Sequence, residues 1–159
     1  MGLTLLSFCN PQRHRAMGAS VSTIEREPAP LVGTASFLRS AEGTFLVLER
    51  YDEELAGHCM VLGWFGGDLE PRPYPIRRLA MSALEAEVAS EDRSFYGMAA
   101  VRTPDENSMF VTESGTLVVS TMDGGGLTGT FQLSGFVLNG AERNDGVALS
   151  GSFSALETP

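Results

Sequence analysis

The chain contains no lysine: all 11 basic residues among its 159 are arginine. Gly124-Gly125-Gly126 therefore lacks the Lys-Ser/Thr pair that completes a phosphate-binding loop, and it opens a strand pattern rather than a helix. Histidine is almost as scarce. His14 sits between Arg13 and Arg15, where neighbouring cations disfavour its protonation, and His58 begins an apolar run. The only cysteines are Cys9 and Cys59. Two cysteines with so few histidines make neither a disulfide framework nor a zinc site, and Cys59 reads as a buried, inert thiol. No segment approaches the roughly 20 apolar residues that cross a bilayer as a helix.

Positive charge is also in short supply. The formal net charge is −9, with residues 1–26 carrying +2 and the remainder −11. An acidic body repels phosphates, which argues against nucleic acid as a partner. The acidity itself serves solubility or forms an acidic docking face. What the chain has in quantity is glycine, with 18 residues against 8 prolines, alongside a hydrophobic share of 43%. That balance suits a globular domain with many turns.

Residues 1–30 form no regular pattern and read as an extended N-terminal arm, with residues 31–159 as one domain. Met1–Cys9 is rich in apolar residues but has neither the basic start nor the length of a secretory signal. Leu6-Ser7-Phe8-Cys9 has the outline of a lipoprotein cleavage site in which Phe8 is too large. Gly2 lacks the Ser or Thr at position 6 that myristoylation wants, since Leu6 stands there. Met17 offers an alternative start. Leu3, Leu5, Leu6 and Phe8, with Arg13 and Arg15, make the arm a candidate docking peptide and a candidate contact with a membrane surface.

From Leu31 onward the period is that of strands. Residues 32–39 and 43–51 pair through a short loop, and residues 58–65 form a third, largely buried strand. Phe45, Val47, Glu49 and Tyr51 share one face, and Leu46, Leu48 and Arg50 the other. Pro71-Arg72-Pro73-Tyr74-Pro75 reads as an edge or a crossing segment, because proline lacks the N–H of a ladder. Residues 79–89 fit a helix or a strand, and their neighbourhood favours a strand. Further strands are expected at 93–102, 108–112, 116–122, 126–138 and 146–156, separated by turn chemistry. In the last, Val147, Leu149, Gly151, Phe153 and Ala155 alternate with Ala148, Ser150, Ser152 and Ser154, one face buried and one wet. The fold expected is all-β: an antiparallel β-sandwich, or flattened barrel, of about 8–10 short strands.

Chemistry-bearing patterns are few. His58 and Cys59 are adjacent, but neighbouring strand residues point to opposite faces, which denies them a catalytic pair outside a bulge. Acidic pairs occur at Asp52-Glu53-Glu54, Glu85/Glu87, Glu91-Asp92 and Asp105-Glu106. Glu85 and Glu87 share a face if their segment is a strand, although solvated charge explains all four pairs. Asp105-Glu106-Asn107 and Asp123 supply oxygens without the ligand spacing of a calcium loop. Trp64 and Tyr74, beside the proline-rich segment, have the composition of a protein-contact surface, or else pack into the sheets.

Leu127-Thr128-Gly129-Thr130-Phe131-Gln132-Leu133-Ser134-Gly135, followed by Gly146-Val147-Ala148-Leu149-Ser150-Gly151-Ser152-Phe153, resembles the closing hairpin of small β-sandwich domains in uncharacterised bacterial envelope lipoproteins. Tyr74-Pro75-Ile76 and Ser114-Gly115-Thr116-Leu117-Val118-Val119-Ser120 sit in similar places. The resemblance covers the last half of the chain and implies an extracytoplasmic sandwich with no assigned catalytic residues. The missing signal and lipobox depart from that pattern. The reading that results is a non-enzymatic accessory subunit without cofactor or metal, periplasmic or membrane-associated. It docks on protein subunits of a larger membrane-bound bacterial complex, respiratory or photosynthetic in type, through the arm and a sheet face. The alternatives are a lipocalin-like carrier of a small ligand, and a hydrolase using Glu or His58.

Overall fold

The computed structural model describes residues 21–25, 31–41, 43–51, 57–78, 94–102 and 107–158. Nine strands account for most of them: β1 (Val21–Glu25), β2 (Leu31–Ser40), β3 (Gly43–Tyr51), β4 (Gly57–Trp64), β5 (Pro73–Arg78), β6 (Phe95–Arg102), β7 (Asn107–Asp123), β8 (Gly126–Asn139) and β9 (Glu142–Thr158). Hydrogen bonding runs from each strand to the next until it closes into a barrel. The all-β expectation therefore holds, in its barrel form.

Seven of the strands make the ring. β2, β3, β4, β6, β7, β8 and β9 follow one another antiparallel, and β2 closes on β9 in parallel over Ser36–Leu38 and Leu156–Thr158. The two short strands fill gaps in this ring. β1 lies between the diverging parts of β2 and β9. β5 lies between β6 and β7, parallel to the first and antiparallel to the second. The arm consequently ends earlier than residue 30, because residues 21–25 belong to the barrel wall.

Proline is accommodated in β5 because the strand has two neighbours along only part of its length. Pro73 and Pro75 pair with Val118 and Thr116 of β7, whereas contact with β6 begins at Ile76. The prolines thus sit on an edge, and Ile76–Arg78 sit inside the sheet.

The C-terminal strands are longer than the sequence pattern indicates. The turn chemistry at Glu113-Ser114-Gly115 does not break β7, which runs 17 residues. It marks a bulge between Thr112 and Ser114, and a second lies between Val119 and Thr121. Each bulge shifts the alternation by one residue. That is how Phe110, Leu117 and Val119 all join the core and Met122 packs against it, although their odd spacings would scatter them over both faces of a regular strand. Similarly, the break expected at 139–145 reduces to a two-residue turn, with Asn139 paired to Glu142. Gly146, at φ 73°, sits at the register shift in β9. Gly124 and Gly125, at φ 49° and 81°, form the two-residue turn between β7 and β8 in which both residues need positive φ. Residues 79–89 lie outside the described set.

Among the described residues, inward side chains from every ring strand, together with Tyr74 and Ile76 of β5, gather into one cluster. Phe37, Leu48, Met60, Leu62, Trp64, Phe95, Leu117 and Phe131 are each at most 1% exposed within it. Gly129 is required there by space rather than by φ. A Cβ on it would run into the Val118 carbonyl and stand 2.7 Å from Phe153 Cζ. Gly129→Ala should therefore lose about 1–3 kcal/mol of stability, the usual cost of overpacking. Denaturant unfolding of the two proteins measures this, and equal midpoints would show that the β7–β9 wall can yield.

Candidate functional site

The aromatic residues proposed as a contact surface are interior. Trp64 and Tyr74 are each 1% exposed and form a three-ring cluster with Phe95. Ring centroids lie 4.8 Å apart for Trp64–Tyr74 and 5.4 Å for each of the other two pairs. Their polar tips are satisfied by the loop that follows β4. The Trp64 indole N–H donates to the Gly67 carbonyl at 2.7 Å. The Tyr74 hydroxyl accepts from the Glu70 N–H at 2.8 Å and donates to the Glu70 carbonyl at 3.0 Å. A Cβ at Gly66 would strike the indole ring, so that glycine lets the loop lie flat on Trp64. These aromatics latch the loop onto the barrel and offer no contact face. The other expected contact residues, Leu3, Leu5, Leu6, Phe8, Arg13 and Arg15, lie outside the described residues, as do His14 and the acidic pairs at 52–54, 85/87, 91–92 and 105–106.

β3 and β4 are buried on both faces. Leu46, Leu48, Met60, Leu62 and Trp64 face the core, while Phe45, Val47, Cys59 and Val61 are buried on the opposite face. Two ionisable residues are embedded in this wall, one on each face. Glu49 pairs with Cys59, and Arg50 with His58, across the ladder. Glu49 is 7% exposed and His58 3% exposed. Burial lifts the Glu49 carboxyl to about 7. Burial, assisted by the Arg50 guanidinium, lowers the His58 imidazole to about 4. Among the described residues the His58 Nε2 has no hydrogen-bond partner.

Cys59 is disulfide-bonded, which corrects its reading as an inert thiol. A separation of fifty residues between two cysteines carries no recognisable spacing, so the bond was not legible in the sequence. The chain's other cysteine, Cys9, lies outside the described residues. With Cys59 bonded and on the face opposite His58, the two cannot act as nucleophile and base. Alkylation of unreduced, denatured protein should leave no modified cysteine by intact mass. Uptake of two alkyl groups would overturn the disulfide.

The outward side of β7–β9 is a different environment. Thr116, Val118, Thr130, Gln132, Ser150 and Ser152 line a trough of about 630 Å³ there, with Phe131 and Gly151 at its floor. The ladders align these residues in rows across the strands: Thr116–Gln132–Ser150 and Val118–Thr130–Ser152. Among the described lining residues none is charged, and Glu25 of β1 stands opposite Ser150 in the ladder. Farther along the same face Phe136 is 3% exposed because arginine covers it. The Arg143 guanidinium lies 3.7 Å from its ring centroid, and Arg78 lies 5.6 Å away. Arg143 also pairs with Asp145 at 2.6 Å and Glu113 at 3.6 Å. The alternation of serines in residues 148–154 pointed to a wet face, but the cross-strand rows depend on register and bulges that the sequence does not display.

No protein-family model, no curated protein and no solved structure matches the chain.

The two buried ionisable groups oppose one another in their effect on stability. Unfolding returns Glu49 to its ordinary 4.5 and His58 to 6.5. Glu49 favours the folded state below pH 4.5 and loses that contribution as pH rises to about 7. His58 favours it above pH 6.5 and loses that contribution as pH falls to about 4. Between pH 4.5 and 6.5 the two slopes cancel. Relative to the parent, Glu49→Gln should gain stability as pH rises through this window, and His58→Gln as pH falls. Each slope has a ceiling of about 1.4 kcal/mol per pH unit for one whole proton. Urea titrations at several pH values measure both, and slopes of the same sign would overturn the assignment.

Proposed function

We propose that the protein is a non-enzymatic accessory subunit, periplasmic or membrane-associated. It docks on a larger membrane-bound bacterial assembly, respiratory or photosynthetic in type, through its N-terminal arm and an outward sheet face. The observation that carries this reading is a closed barrel whose described interior is filled by one apolar cluster, while its candidate reactive groups are held apart. Such a molecule has its outer surface to work with. Among the described residues the filled interior also weighs against a lipocalin-like carrier, whose ligand would need an enclosed apolar cavity among these same side chains.

The bonded Cys59 supports the compartment in this reading. Protein disulfides persist in oxidising compartments and are rare where glutathione keeps thiols reduced. The resemblance to envelope lipoprotein domains points the same way. For the docking face, the Arg78–Phe136–Arg143 stack is the best-equipped patch, since arginine and aromatic residues dominate binding energy at protein interfaces. Its guanidinium groups remain half-exposed and suit acidic or aromatic partners.

Native mass of the protein in gentle extracts of its source cells, with mass spectrometry of co-migrating species, tests the reading. Co-migration with a defined set of membrane proteins is expected. A chain beginning at Met17, which keeps β1, should fold and migrate alone, and Arg143→Glu should weaken the association. A Cys59→Ser protein separates loss of the disulfide from loss of the arm. Migration of the full chain at its own mass of 17.0 kDa would overturn docking.

A further inference from the structure

We propose that the N-terminal segment around Cys9 is seated on its own barrel, across the outer face of β3–β4, and that a Cys9–Cys59 disulfide holds it there. An antiparallel sheet packed on one face commonly leaves the other to solvent. The outer face of β3–β4 does not follow that rule. Phe45, Val47, Cys59 and Val61 are at most 2% exposed there, and none of them belongs to the core cluster on the other side of the sheet. Ser36, opposite Val47, and Glu49, opposite Cys59, continue the buried patch. Exposure resumes at Thr34, opposite Glu49. At the far end, Phe65 packs edge-on against Phe45 at 5.5 Å and lies 6.2 Å from Tyr96. Neighbours within a sheet shield such side chains only from the sides, so burial this complete requires a second layer above them.

Cys59 identifies the segment that forms this layer. It is disulfide-bonded, and Cys9 is the chain's only other cysteine. A disulfide brings the two Cα atoms within about 7 Å of each other, which puts Cys9 at the end of the patch remote from Phe65. The register gives the chain the reach to do so. Val21, Thr34, Glu49 and Cys59 stand in one row across β1 to β4, a span of three strand spacings, or about 14 Å. Val21 follows Cys9 by 12 residues, and a chain of that length can bridge about 40 Å. The composition fits as well. The eight residues before Cys9 include Leu3, Leu5, Leu6 and Phe8 and no charged side chain, which suits a patch made of Phe45, Val47 and Val61. The inference deepens the docking reading and rests on it in one respect: a host would meet the arm and the sheet face as one prearranged surface, with less ordering to lose on association than a free arm.

The test uses the full-length purified chain, free of any host assembly, so its failure is distinguishable from failure of the docking reading. Non-reducing proteolysis with mass spectrometry should recover the Cys9 peptide joined to the Cys59 peptide, from protein that migrates as a single chain on a denaturing, non-reducing gel. In methyl-labelled protein, Val47 and Val61 should show nuclear Overhauser contacts to Leu3, Leu5 or Leu6. A chain beginning at Met17 should keep the emission of Trp64, the single tryptophan and a member of the core cluster. It should nevertheless bind a hydrophobic dye several-fold more than the full chain, because Phe45, Val47 and Val61 become exposed. The proposal is overturned by a disulfide between two chains, by contacts from Val47 and Val61 to residues 79–93 instead of the arm, or by a folded Met17 chain that binds no more dye than the parent. If the shortened chain does not fold, the methyl contacts in the full chain decide.

Discussion

Below Ser36 the strands β2 and β9 part, and before Met98 so do β6 and β7. Each parting would leave two rows of backbone N–H and C=O groups on open sheet edges, the features that invite aggregation. β1 fills the first gap and β5 the second, and the remaining architecture follows from how they do it. A strand inserted between two antiparallel neighbours must run parallel to one of them, which is the origin of the β5–β6 pairing. Insertion also forces β7 to change partner in mid-strand. Its last pair with β6 is at Val111 and its first with β5 is at Ser114, so the first bulge falls where the exchange occurs. Thr112, fully buried at that point with an unpartnered hydroxyl among the described residues, is a local cost of closing the ring.

This explains which parts of the fold were legible in the sequence. β3 could be delimited to the residue, because an apolar stretch bounded by Gly43 and by Asp52 with two glutamates announces both its ends. The all-β class was equally plain from the period-two alternation in residues 146–156. Bulges were not legible, because a residue inserted into a strand carries the same glycine and polar chemistry as a turn. Glu113-Ser114-Gly115 and residues 139–145 read accordingly as turns. The placement of β1 was beyond sequence reading for another reason. Val21–Glu25 is five residues long and its strand state depends on neighbours more than a hundred residues away, at Ser150–Phe153. Trp64 and Tyr74 fell between two readings that composition cannot separate. Their hydrogen bonds to Gly67 and Glu70 are what allow both polar tips to be buried.

The wall formed by β3 and β4 carries the other tension in the molecule. Two ionisable residues are placed where charge is disfavoured, on opposite faces and near one end of the same ladder. A carboxyl raised by burial is held neutral at low pH and a histidine lowered by burial is held neutral at high pH. Their proton exchanges on unfolding are therefore opposite in sign, and the wall is insensitive to mildly acidic conditions in which either residue alone would register. His58 lies on the core side of the strand, separated by the sheet from Cys59.

The outward face of β7–β9 poses a different question, because strand formation alone does not account for its composition. Threonine suits a pleated surface, but serine at positions 150, 152 and 154 is not a choice that strand preference explains. Solubility does not explain it either, since charged side chains would serve a wet face better and guard it against association. Among the described residues the lining of the trough carries no acidic side chain, although Glu25 of β1 stands opposite Ser150 in the ladder. Thr121 pairs with Thr128 and Ser114 with Ser134 through their hydroxyls, while Ser154, opposite Thr128, is exposed. The central rows do not pair, although the ladder brings Thr116 opposite Gln132 and Gln132 opposite Ser150. On an exposed face such hydroxyls are satisfied by water, so these strands keep a polar outer surface without adding to the protein's net charge of −9.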